Sequence, residues 1–150
     1  MSLEQEFELI RRVPIFSSAD PAMQKLLAFS SDRLTYEEGE LMFSAGDPPD
    51  SAYIVMEGEV DILVPTPRGP LLVNTLTRNA VIGELGIFGD VPRTATALAR
   101  TRVVALRISR DVFVNVIRSN PDAAIGLVKI LADRLIKTTA QLSRMAAEPR

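Results

Sequence analysis

The chain has 150 residues, 47% hydrophobic and 24% charged, with 17 basic against 19 acidic side chains and a net charge of −2. That length fits one domain, large enough to bury roughly 70% of its unfolded surface. Cysteine and histidine are both absent, which excludes disulfides, thiol nucleophiles, Cys/His zinc sites and every Ser-His or Cys-His mechanism. Tryptophan is absent and aromatics total 5%, so base-stacking platforms for single strands are not expected. The slightly acidic balance gives no bulk attraction to DNA or anionic lipid.

Leu3, Phe7 and Ile10 predict a short amphipathic helix at the start. Asp20-Pro21 is a helix-start signal, with Asp at the N-cap and Pro in the first turn. The apolar runs are far shorter than the roughly 20 residues a membrane span needs. With an acidic N-terminus, the expectation is a cytoplasmic protein with no membrane span.

From about residue 31 the pattern changes to short alternating or apolar runs. Strands are predicted at 33–36, 40–43, 52–56, 59–64, 71–76, 80–82, 94–98 and 102–108. They are punctuated by Gly39, Gly46-Asp47-Pro48-Pro49, Gly58, Pro65 to Pro70, Arg78-Asn79 and Gly89-Asp90. Eight short strands broken this often predict a β-sandwich or roll.

The tail is predicted helical. Ser109 caps a helix over 110–119, and Asn120-Pro121-Asp122 reads as N-cap, first position and dipole-favourable acid of the next. Residues 121–144 would span on the order of 36 Å. Val128, Leu131, Leu135, Leu142 and Met145 fall at heptad steps, with Thr138 in the missing slot. Such a seam packs either on its own roll or against the same helix of a second copy. The overhang of so long a helix favours the homodimer.

The densest signals lie at Ile82-Gly83-Glu84-Leu85-Gly86-Ile87-Phe88-Gly89-Asp90-Val91-Pro92-Arg93-Thr94-Ala95. A strand breaks at Gly83, makes about one helical turn, and resumes after Arg93. The glycine-opened turn presents free backbone N–H groups to an anion, and Arg93 can fork two donors onto the same anion. Glu84 accepts only, which suits a hydroxyl beside a phosphate. Taken singly, the glycines are ordinary turn residues and Glu84 with Arg93 an ordinary surface ion pair. Together they describe a site for a sugar phosphate or nucleotide.

Ile82 to Phe88 followed by Pro92-Arg93-Thr94-Ala95 resembles the phosphate-binding cassette of cyclic nucleotide-binding domains. Gly46-Asp47 with Tyr53 to Val60 resembles that family's hairpin region. Asn120 to Thr139 is similar to the long helix of its bacterial catabolite-activator branch, as is Gly86, where eukaryotic members carry Ala.

The resemblance implies an α+β fold: an eight-stranded antiparallel, jelly-roll-like β-roll with short N-terminal helices and two C-terminal helices, the last one long. It forms a single domain over 1–150, with helices over 1–30, roll over 31–108, cassette over 82–95 and helices over 109–148. It implies that Glu84 accepts from the ribose 2′-hydroxyl and Arg93 pairs with the cyclic phosphate. Backbone groups near Gly83, Leu85 and Ala95 complete the cradle beside Thr94. Arg134 and Thr138 lie near the ribose carboxylate and the purine, and Thr139 reaches the base across a dimer.

The ligand is then cAMP or cGMP. Thr94 is compatible with either, and the Thr138-Thr139 pair favours adenine. No catalytic residue, metal or cofactor is expected, and a histidine-dependent enzyme on a roll is excluded by composition. Catabolite-activator relatives continue into a helix-turn-helix, whereas this sequence stops at Arg150, so direct DNA binding is not expected. A ligand-free interaction domain, or the sensing part of a transcription regulator, is the alternative.

Overall fold

The computed structural model describes residues 3–147. In chain order its elements are α1 (Leu3–Arg12), α2 (Pro21–Ser30), β1 (Asp32–Tyr36), β2 (Leu41–Phe43), β3 (Ser51–Glu57), β4 (Val60–Val64), β5 (Leu71–Leu76) and β6 (Val81–Ile82). There follow α3 (Glu84–Gly89), β7 (Thr96–Ala99), β8 (Val103–Ser109), α4 (Arg110–Ser119) and α5 (Pro121–Ala147). The strands form two four-stranded sheets, ordered β1-β8-β3-β6 and β2-β7-β4-β5, antiparallel throughout. The predicted α+β roll is the observed one, and every predicted strand lies within two residues of its observed bounds. The helical tail was expected to reach residue 148, which lies outside the described residues. Among the described residues, no helix is long and apolar enough to cross a membrane.

Burial along β3 explains the layering. Six successive residues, Ser51 to Met56, are buried, because this strand has a core on each face. Ala52, Ile54 and Met56 face the helices, among Leu9, Phe16, Leu27 and Phe113. Tyr53 and Val55 face the second sheet, among Met42, Ala97, Val103 and Ala105. Side chains alternate across a strand, so a continuous apolar run is what a middle layer requires. Phe16 and Phe113 meet edge to face at 5.9 Å and join the N-terminal segment to α4.

The helix starts divide two ways. Asp20 accepts from the Ala22 N–H at 3.0 Å and Ser109 from the Val112 N–H at 3.4 Å, as the sequence predicts. Asn120 does not cap α5 with its side chain. Its amide donates to the Val116 carbonyl at 2.9 Å, and its Oδ1 accepts from the Asp20 N–H at 3.3 Å. The tertiary partners win because Asn120 is buried where α2, α4 and α5 converge, and its polar atoms need partners there.

The expected heptad seam of α5 also divides. Ala123 and Leu127 are buried, and Ile130 and Leu131 pack partly on the core of their own chain. Leu131 therefore leaves the seam. Val128, Leu135, Ile136, Leu142 and Met145 stay exposed, each by 59–68%.

Candidate functional site

The cassette stands where β6 ends against the middle layer. Gly83 has φ +93°, a backbone that only glycine adopts freely, and a Cβ there would collide with the Arg93 guanidinium. Gly86 is tight for a different reason: a Cβ would lie 3.0 Å from the Pro49 Cβ and 3.2 Å from the Val91 carbonyl oxygen. These close approaches let α3 lie flat beside the 47–50 loop. The first turn of α3 has no side-chain cap, and Gly83, Glu84, Leu85 and Gly86 all line the cavity beside it.

Glu84 opens α3 and is 1% exposed; Arg93 is 4% exposed. They are not partners of one another. Glu84 forms a short ion pair with Arg134 of α5, which also donates to the Val81 carbonyl at 3.2 Å. Arg93 donates to the carbonyl oxygens of Ser51 at 2.7 Å and Gly83 at 3.0 Å. It reaches Asp50 Oδ1 and Ser51 Oγ, each at 3.4 Å. Its guanidinium lies over the Phe43 ring at 4.2 Å, and Phe43 stacks on Tyr53 at 5.9 Å. The reading of Glu84 and Arg93 as a paired surface contact is thereby excluded.

Burial presses the Arg93 pKa below its ordinary value, while Tyr53 and Asp50 oppose the shift. Burial raises the Tyr36 phenol, and the neighbouring Tyr53 raises it further. Arg93 Nε is buried with no hydrogen-bond partner among the described residues. A buried donor left unmade is costly, and Nε belongs to a cation lining a cavity, which fits an anionic ligand.

That cavity, of about 90 Å³, is lined by Gly83, Glu84, Leu85, Arg93, Thr94, Ala95 and Arg134. Seven of the nine predicted site residues thus converge on one space. Phe43, Ile62, Leu76 and Val81 supply its apolar wall. Thr138 and Thr139 do not reach it; both are exposed on α5 beyond Arg134. The volume is well below the ~300 Å³ of small ligand pockets, and Arg134 is one of the groups that fills it. A larger groove, about 570 Å³, lies against α1 among Glu4, Glu8, Arg12 and Arg78. It is remote from the cassette, so the smaller cavity carries the chemistry.

The profile of the cyclic nucleotide-binding domain matches residues 33–120. The chain belongs to the cyclic nucleotide-binding domain family. It is 31% identical over 137 residues to the CRP-like cAMP-activated global transcriptional regulator of Mycobacterium tuberculosis, covering 91% of this chain and 61% of that one. It is 33% identical over 104 residues to a cAMP-dependent protein kinase regulatory subunit of Aspergillus niger, covering 69% of this chain and 25% of the relative. The chain thus spans less than two-thirds of the curated relatives it matches. Its fold superposes with a TM-score of 0.80 on the sensor domain of the transcriptional regulator DNR from Pseudomonas aeruginosa. That match is at 24% identity and covers 92% and 93% of the two chains.

Within this cyclic nucleotide-binding domain, Phe43, Asp50, Ser51 and Arg107 were not legible as site residues. They sit 14 to 50 positions from Arg93, Asp50 in a loop and the others on strands, and carry no spacing signal. The one available hint was Gly46-Asp47-Pro48-Pro49, which reads as a strand break and, with Tyr53 to Val60, as the family's hairpin region, but names no residue that touches Arg93.

Proposed function

We propose that this domain is a cyclic nucleotide sensor that binds cAMP, and cGMP less favourably, in the cassette cavity. The observation that carries the reading is the pair of buried charges on one small cavity, one of them with an unpartnered donor. Arg93 Nε supplies a hydrogen bond to the cyclic phosphate, beside the N–H groups at Gly83, Leu85 and Ala95. Glu84 accepts from the ribose 2′-hydroxyl, and Ile62, Leu76 and Phe43 give the base an apolar wall. The domain needs no cofactor and is a binding module rather than an enzyme.

The signal follows from a competition. Arg134 occupies Glu84 and part of the cavity, so an entering ribose displaces or repositions it. Arg134 sits on α5, and Asp90, the residue just after α3, accepts from Arg110, the first residue of α4, at 3.0 Å. Binding is therefore felt at both C-terminal helices. The exposed apolar face of α5 supports a homodimer in which Thr138 and Thr139 approach the partner's base. A second reading, as the sensing part of a longer transcription regulator, is favoured by the 61% coverage of the mycobacterial relative.

Thermal denaturation with cAMP, cGMP and AMP tests the reading. The expected order of stabilisation is cAMP, then cGMP, with AMP near the ligand-free protein. No shift with either cyclic nucleotide at millimolar concentration overturns it.

A further inference from the structure

The last residue of β2 lies out of step with its strand. The register shifts between Leu41 and Phe43, so Met42 and Phe43, neighbours in sequence, both pack on the core between the two sheets. A bulge re-aims side chains in this way. It brings the Phe43 ring against Arg93, whose guanidinium carbon lies over the ring at 4.2 Å from its centre. The same ring stacks on Tyr53 at 5.9 Å and 30°. Tyr53 is buried in the roll, so this aromatic bed is fixed from within.

The polar contacts of Arg93 leave one end of its guanidinium unheld. Nη1 and Nη2 donate to the carbonyl oxygens of Gly83 and Ser51. Asp50 is exposed and is shared with Arg107, each contact at 3.4 Å, so its hold is weak. Nε has no hydrogen-bond partner among the described residues. Two carbonyl contacts fix one edge of a planar group and leave a tilt about that edge free. A ring face under the central carbon opposes the tilt. That face also carries partial negative charge, which offsets the cost of keeping a buried guanidinium charged. An aliphatic side chain at 43 would fill the same wall without supplying the face.

We propose that Phe43 is a positioning residue whose ring face holds the Arg93 guanidinium flat, with Nε left for the cyclic phosphate, and so sets nucleotide affinity. This rests on the reading of Arg93 as the phosphate donor. The apolar wall that Phe43 offers the base is a separate contact. The two are told apart by changing the charge of the ring face without changing the ring's shape.

The test replaces Phe43 in the full chain with mono-, di- and trifluorinated phenylalanine, introduced at an amber codon. Each fluorine withdraws charge from the ring face and leaves the shape nearly as it was. Calorimetry should show cAMP affinity falling stepwise with fluorine number, to about three- to tenfold below the parent in the trifluoro protein. cGMP shares the cyclic phosphate and differs in the base, so its loss should match that of cAMP within about twofold. In the ligand-free proteins the NMR resonance of the Arg93 Nε–H should move in the same steps, because it reports where the guanidinium lies over the ring. Affinity that stays flat across the series overturns the proposal, and so does an unmoved resonance. Losses that differ between the two nucleotides by more than about twofold also overturn it, since they mark a contact with the base. If the parent binds neither nucleotide, the functional reading falls. The resonance then decides the ring's hold on Arg93 by itself: stepwise movement supports it, and an unmoved resonance overturns it.

Discussion

The cassette and the outer half of α5 break the same rule in opposite directions. At the cassette, Glu84 and Arg93 are charged yet almost wholly buried. On α5, Leu135, Leu142 and Met145 are apolar yet mostly exposed. Burying charge costs free energy unless each group is paired, and an exposed apolar stripe marks a surface built for contact. Most of the cassette's cost is met within the chain, by Arg134 for Glu84 and by two carbonyl oxygens and Asp50 for Arg93, with Arg93 Nε left unpartnered among the described residues. The stripe on α5 has no such compensation within the described residues. The difference is that the cassette's charges are matched mostly by residues of the same chain, whereas the exposed apolar residues of α5 are not covered within the described residues.

The comparison breaks most severely at Arg93. Arg93→Lys keeps the charge but loses the planar fork that serves Ser51, Gly83 and Asp50 together. Cyclic nucleotide affinity should fall about 10- to 150-fold, or roughly 1.5–3 kcal/mol. Because the same fork holds the loop at residues 50–51 to the cassette, urea denaturation should also show a stability loss of about 1 kcal/mol for each bond not remade.

Gly83→Ala tests whether the cassette's backbone is pre-set. The φ of +93° and the collision with Arg93 together should cost about 1–3 kcal/mol of stability. Titration should show affinity falling with it, since Arg93 must move aside. A variant as stable as the parent with unchanged affinity would mean the turn is adaptable.

Leu142→Lys sharpens the other side. It lies in the exposed stripe, well beyond Arg134. Sedimentation should show the parent as a dimer and the variant as a monomer, with cAMP binding weakened only a few-fold. Ligand and dimerisation should then tighten one another by the same factor. A parent that is monomeric at micromolar concentration with and without ligand would remove the second copy as the occupant of this face.

Local signals made most of the fold legible. The turn glycines and prolines bracket the strands, and the unbroken apolar run from Ala52 to Met56 has the pattern of a strand covered on both faces. Legibility ended where partners are distant in sequence. Asn120 has the composition of an N-cap, but its side chain is used by Asp20 and Val116, and no local rule ranks that contact. Glu84 and Arg93 were legible through the cassette pattern and Arg134 through the resemblance of the long helix, whereas Asp50 and Ser51, which hold Arg93, lie 43 and 42 positions from it and carry no local signal. Leu131 obeys the heptad spacing yet packs at home, because periodicity gives a helix face without saying which body that face meets.

On the proposed reading, the buried carboxylate of Glu84 is kept for a ligand hydroxyl rather than for the fold alone. Calorimetry on two proteins with two ligands, parent and Glu84→Gln against cAMP and 2′-deoxy-cAMP, measures this as a coupling. The account predicts that cAMP weakens about tenfold in Glu84→Gln while 2′-deoxy-cAMP binds both proteins alike. Equal losses for the two ligands, with zero coupling, would contradict it and leave Glu84 as no more than the anchor of Arg134.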